Sequence, residues 1–157
     1  MDTIEYLNGD ATSPSVEGNK IICHICNDIG GWGKGFVLAL SRRWPKPEKD
    51  YRAWYKFKQD NDFGLGAVQF SRVSNEIAVA NMVAQNGLKK SNSQPPIRYD
   101  AVRTCLSIVA QEALTTNASV HMPRIGCGLA GGKWEEIEPI IDAELINHGV
   151  SVYVYDY

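Results

Sequence analysis

Short apolar runs alternate with longer stretches in which apolar residues recur every three or four positions, and this alternation predicts the elements of the chain. Asn19 to Cys26 carries Ile21-Ile22-Cys23 without a polar break, as expected of a strand buried within a sheet. Val120 to Ile125 and Val150 to Tyr155 are two further strands. Thr3 to Leu7 is a short opening strand that ends at the turn residues Asn8-Gly9-Asp10. Ala67 to Val73 and Glu76 to Ala84, joined through Ser74-Asn75, predict an antiparallel hairpin.

Helical spacing links Phe36, Val37, Leu40 and Trp44 in a helix that starts near Gly33 and is stopped by Pro45. Pro47 suits the first turn of a second helix, running to about Gln59, whose aromatics Tyr51, Trp54, Tyr55 and Phe57 are suited to packing. From Arg98 to Leu114 a stripe of Ala101, Val102, Cys105, Leu106, Val109, Ala110 and Ala113 predicts a third helix. A fourth runs from Trp134 to Asn147, with Gly149 as its stop. The order β-β-α-α-β-β-α-β-α-β predicts a single domain, residues 1–157: a three-layer α/β/α sandwich with a mixed central sheet. The polar segment 86–96, rich in Ser, Asn and Pro, reads as a lid.

Composition narrows the function classes. A chain of 157 residues buries about two-thirds of its unfolded surface and needs no staples. A net charge of −2 argues against a general nucleic-acid or membrane surface. The basic residues between Arg42 and Lys58 are interleaved with acids, as on a solvated helical face. The N terminus lacks a signal-peptide pattern and no apolar run is long enough to span a bilayer, so the expectation is a soluble, cytoplasmic monomer. Cys23 and Cys26 have C-x-x-C spacing, but on a strand an odd separation points them to opposite faces, where they cannot share an ion. Buried thiols are expected. His24, His121 and His148 offer little for a metal site, and neither metal nor cofactor is expected.

The chemistry concentrates in two glycine loops. After the buried strand come Asn27 and then Gly30, Gly31, Gly33 and Gly35, leading into a helix. After the strand ending at Ile125 come Gly126, Gly128, Gly131 and Gly132, again before a helix. Strand, glycine loop and helix bring free backbone N–H groups and a positive helix end up to an anion. Both loops fall at carboxyl ends of strands, where clefts in open α/β sheets lie. Two such loops facing one crevice suggest a ligand with two phosphates. The second loop is not a Walker A motif, since Cys127 and Trp134 stand where glycine and a hydroxyl residue are required; the first has the wrong spacing for a Rossmann fingerprint.

Taken together, Asn8-Gly9-Asp10-Ala11-Thr12, the glycine loop behind Asn27 and the segment MPRIGCGLAGGKW resemble the macro domain family over essentially the whole chain. His24-Ile25-Cys26-Asn27, Trp32-Gly33-Lys34-Gly35 and Trp44 to Tyr51 resemble the yeast-type ADP-ribose-1″-phosphate phosphatases with their phage and bacterial relatives. The resemblance implies an ADP-ribose cleft across the top of the sheet. Asp10 accepts from the adenine amino group, Ala11 supports the ring, and Tyr155 lies near the adenine or proximal ribose. Gly33, Lys34, Gly35 and Phe36 hold one phosphate; Gly126, Cys127, Gly128, Leu129 and Ala130 hold the other. Asn27 bonds the distal ribose, and Trp32 either covers the pyrophosphate or shapes the distal pocket.

The implied activity is hydrolysis of ADP-ribose-1″-phosphate. Alternatives are an ADP-ribose reader without turnover and a hydrolase acting on ADP-ribosylated macromolecules. The last is disfavoured by Ala130 in place of the aspartate of "GCGLD", by Gln85 and Asn86 near the position of the partner lysine, and by Gly30 in place of the second asparagine of "N-x-x-N". His24 is the catalytic candidate, as a group titrating near neutrality close to the distal ribose, with Asn27 and Asp28 behind it. The competing reading of His24 is a hydrogen-bonded core residue.

Overall fold

The computed structural model describes residues 2–90 and 93–157. Its sheet is built from β1 (Glu5–Asn8), β2 (Lys20–Asn27), β3 (Val68–Arg72), β4 (Ile77–Gln85), β5 (Ser119–Pro123) and β6 (Val152–Asp156) in the order β1-β6-β5-β2-β4-β3. All neighbours pair in parallel except β3, which runs antiparallel to β4 at one edge. The helices are α1 (Phe36–Arg43), α2 (Lys46–Lys56), α3 (Tyr99–Thr116) and α4 (Trp134–Glu144). The element order and the mixed sheet are those expected from the sequence.

Strand periodicity sorts the core into two layers. Ile21 and Cys23 of β2 face α3 and α4, whereas Ile22 and Cys26 face α1 and α2. The two cysteines therefore lie on opposite sides of the sheet. Burial raises both thiols well above their ordinary range. Chain direction explains the crevice above the sheet. From β2 the chain crosses by α1 and α2 toward β4, and from β4 it returns by α3 to β5 on the other side of β2. The switch in direction leaves a gap between the carboxyl ends of β2 and β5, where both glycine loops emerge.

Boundaries differ from expectation for local reasons. Helix α1 begins at Phe36, because Gly35 has φ 79 and ψ −143 and breaks the helical path. Helix α4 ends at Glu144; a 3₁₀ turn, Ile146–His148, carries the chain to Gly149, whose φ of 85 ends it. Phe57 projects from the end of α2 and is 56% exposed, so only part of the expected aromatic stripe packs. The segment expected as a lid is tied at its base, where Asn86 N donates to Pro96 O (2.9 Å); residues 91 and 92 of that segment lie outside the described residues. Among the described residues, no helix is long and apolar enough to cross a membrane.

Candidate functional site

A register shift between Cys26 and Asn27 turns the end of β2 toward the crevice. Asn27 then shapes the first loop. Its Oδ1 accepts from Ile29 N (3.0 Å), Gly31 N (2.9 Å) and the Tyr51 hydroxyl (3.0 Å), and its Nδ2 donates to Gly31 O (3.0 Å). One Nδ2 hydrogen remains for a ligand. Gly30 is fixed by packing: a Cβ there would lie 2.5 Å from the Tyr55 ring, at φ 80. An asparagine at this position would have to displace Tyr55.

The second loop folds back on itself through Gly132 N to Gly126 O (2.7 Å) and Gly131 N to Gly128 O (3.0 Å). A Cβ on Gly132 would stand 2.5 Å from Gly126 O, so this turn requires glycine. Gly126 has φ 72, and its missing Cβ points into the core, 2.7 Å from Ile97 Cδ1 and 3.1 Å from Ile137 Cδ1. By contrast, a Cβ on Gly33 or Gly128 meets no atom within 4 Å. Among the described residues, the N–H groups of Gly33, Lys34, Gly35 and Phe36 donate to no protein acceptor, nor do those of Gly128, Leu129 and Ala130. Two loops thus present unpaired donors to one crevice.

The crevice is a trough of three joined compartments. The first, about 270 Å³, is lined by Gly9, Asp10, Ala11, Arg42 and Tyr155 above β1 and β6. Phe36 and Pro123 border it and the second, about 230 Å³, which lies between the glycine loops. Ile25, Lys34, Val37, Gln85 and Leu129 separate the second from the third, about 530 Å³, which is walled by Asn27, Trp32, Gly33, Leu88 and Lys89 above β2 and β4. All residues expected to contact ADP-ribose line this trough except Cys127, whose thiol turns to Ile125 O (3.5 Å).

Individual side chains depart from expectation. Asp10 is an anchor as well as a lining residue. Its Oδ1 accepts from Thr12 N (2.8 Å) and Thr12 Oγ1 (2.7 Å), and Oδ2 faces the Arg43 guanidinium at 3.6 Å. Burial acts to raise its pKa, but these donors outweigh it and hold the carboxyl below its ordinary value. Trp32 is 5% exposed; its Nε1 donates to Ser41 Oγ (2.8 Å) and its ring meets His24 edge-on at 5.2 Å. It walls the third compartment and does not reach the second, between the glycine loops. Tyr155 shares a 2.8 Å hydrogen bond with His121 Nδ1, and burial raises its phenol to about 12.

His24 does not titrate near neutrality. It is 1% exposed, and burial pushes it down to about 4 despite the opposing Asn81 hydrogen bond. Asn81 Nδ2 donates to Gln69 Oε1 (3.0 Å) and Pro47 O (3.2 Å), so its Oδ1, 2.5 Å from His24 Nε2, is the acceptor. His24 is therefore the neutral Nε2–H tautomer. Its Nδ1, beneath the middle of the trough, is buried with no partner. Asp28 lies outside the lining and pins the next loop, accepting from Asn86 Nδ2 and Gly87 N at 2.8 Å each. Among the described residues no group of three or more His, Cys, Asp or Glu is placed to hold a metal ion.

Sequence reasoning passed over Asn81, Arg43, Leu88 and Lys89. Asn81 had a visible signal, a polar residue amid the apolar run of β4. Arg124, also in the trough wall, is committed: it binds Asp156 through two bonds (2.6 and 2.9 Å) between the Tyr6 and Trp134 rings.

No family model matches the chain. Among solved structures, a protein of unknown function from Bacteroides thetaiotaomicron is 61% identical, with a TM-score of 0.95 over 98% of each chain. A macrodomain protein from Streptomyces coelicolor is 55% identical, with a TM-score of 0.89 over 98% of this chain and 99% of that one. Among sequence relatives, the chromodomain-helicase-DNA-binding protein 1-like of Mus musculus is 32% identical over 98% of this chain. The chain spans 18% of that relative's length. An ADP-ribose 1″-phosphate phosphatase of Lodderomyces elongisporus is 26% identical over 98% of this chain and 99% of its own length.

Proposed function

Because the chain belongs to the macrodomain family, we propose that it binds ADP-ribose along the trough and hydrolyses ADP-ribose-1″-phosphate to ADP-ribose and phosphate. The observation that carries this reading is the pair of facing loops with unpaired N–H groups, one set at Gly33–Phe36 and the other at Gly128–Ala130. Donors that no protein group occupies are free to bond an anion entering the trough, and a pyrophosphate has an acceptor for each set. The compartments then fit the rest of the ligand. Adenine and proximal ribose lie over Ala11 beside Asp10 and Tyr155. The distal ribose lies against Trp32 with Asn27 Nδ2 as donor.

In the hydrolysis, water oxygen bonds to phosphorus as the bond from phosphorus to O1″ breaks, and a proton from water passes to O1″. The loops hold the substrate and fix the 1″ oxygen in the third compartment. His24, held neutral by burial, is not a general acid near neutrality.

A second reading, an ADP-ribose reader without turnover, is favoured by two observations: His24 is sealed beneath the trough, and Asp28 is bonded to the loop at Asn86 and Gly87. Phosphate release decides between them. Incubation with ADP-ribose-1″-phosphate should yield phosphate and ADP-ribose in equal amounts. Tight ADP-ribose binding with no phosphate released establishes the reader.

A further inference from the structure

The third compartment is about 530 Å³, twice the adenine-side compartment of about 270 Å³. A ribose is no larger than an adenine, so a bound ADP-ribose leaves space beyond C1″. The lining around that space is electrically one-sided. It includes Lys34 and Lys89 and no carboxylate. Among the described residues neither lysine is in an ion pair, so neither charge is already matched by an acid. Lys89 is held near the mouth by its approach, not left on a free tail. Asn86 and Gly87 are pinned by Asp28, and Gln85 Nε2 donates to Gly87 O (2.9 Å). Leu88 and Leu129, 57% and 66% exposed, flank the opening.

We infer that Lys34 and Lys89 form a paired cationic clamp for an anionic group on C1″ of the distal ribose, and so set the specificity of the site for ADP-ribose-1″-phosphate over ADP-ribose. Lys34 borders both the pyrophosphate and distal compartments and so acts on either ligand. Lys89 reaches only the distal one and reads the added phosphate. The inference rests on the proposed ADP-ribose site, and its test separates the two.

The readout is the ratio of affinities for ADP-ribose-1″-phosphate and ADP-ribose. It is taken as KM against the product's inhibition constant if phosphate is released, and as two Kd values if not. In the wild type the phosphorylated ligand should bind more tightly. Lys89→Ala should shrink that ratio about two- to fivefold, the range for a solvent-accessible charge contact, and leave ADP-ribose affinity unchanged. Lys89→Arg should restore the ratio, Lys90→Ala should leave it as in the wild type, and the Lys34→Ala/Lys89→Ala double variant should abolish it. A Lys89→Ala variant with the wild-type ratio, or one that weakens both ligands equally, overturns the clamp while leaving the ADP-ribose site standing. A wild type that binds neither nucleotide overturns both.

Discussion

Asp10 has two tasks, and they can be pulled apart. Its carboxylate closes a turn onto Thr12 and faces Arg43, while its residue lines the adenine-side compartment. Asp10→Ala removes the turn's acceptor as well as any bond to adenine. ADP-ribose binding should weaken by about 1–3 kcal/mol, and some stability should be lost with it. Asp10→Asn keeps an oxygen for Thr12, so stability should return toward wild type while the deficit in affinity persists through the lost charge. Calorimetric titration beside thermal melts checks both; an Asp10→Asn protein that binds like the wild type would show that the charge has no part in recognition.

At the scale of elements, the glycine loops show how far a sequence reaches. The apolar run before Asn27 and the one before Gly126 marked two central strands, and strand–glycine–helix order marked both loops as anion sites. What each glycine does was not legible, because a Cβ direction depends on neighbours far away in the chain. Gly126 reads as a ligand-facing position, yet its Cβ would strike Ile97 and Ile137. Gly128→Glu should therefore abolish ADP-ribose binding with little change in melting temperature, by setting a carboxylate against the phosphates in open space. Gly126→Ala should lower stability by about 1–3 kcal/mol through overpacking and a strained positive φ. Reversed outcomes would place the second loop the other way round. The burial of Trp32 and His24 is hidden from the sequence for the same reason. Ser41 and Asn81, their partners, lie 9 and 57 residues away, and nothing local announces that they will seal the two rings.

Across the whole molecule, buried histidines tie stability to pH. Burial depresses His24 and His121 to about 4, with Lys20 adding to the effect on His121. Between that value and the ordinary histidine pKa near 6.5, the unfolded chain binds protons that the folded chain refuses. Stability should thus be fully present above about pH 6.5 and fall as pH drops toward 4, at up to roughly 1.4 kcal/mol per pH unit for each histidine. Urea midpoints across that window measure the slope, and NMR of the imidazole carbons should find His24 and His121 still neutral at pH 5.5. Stability that is level from pH 6.5 to 4.5 would mean that the rings are solvated.

The same scale holds the central claim. The strand order β1-β6-β5-β2-β4 lays out the compartments in sequence, and the proposed binding mode has the ligand read end to end: base, two phosphates, distal sugar. The direct measurement is calorimetric titration of the intact protein with ADP-ribose, AMP and ribose-5-phosphate under one set of conditions. Each fragment satisfies one loop's donors and leaves the other's unpaired. ADP-ribose should bind with one-to-one stoichiometry and at least about a hundredfold more tightly than either fragment, which corresponds to about 2.7 kcal/mol for the second phosphate contact and its sugar. AMP binding as tightly as ADP-ribose would contradict the account, because one loop and one compartment would then suffice.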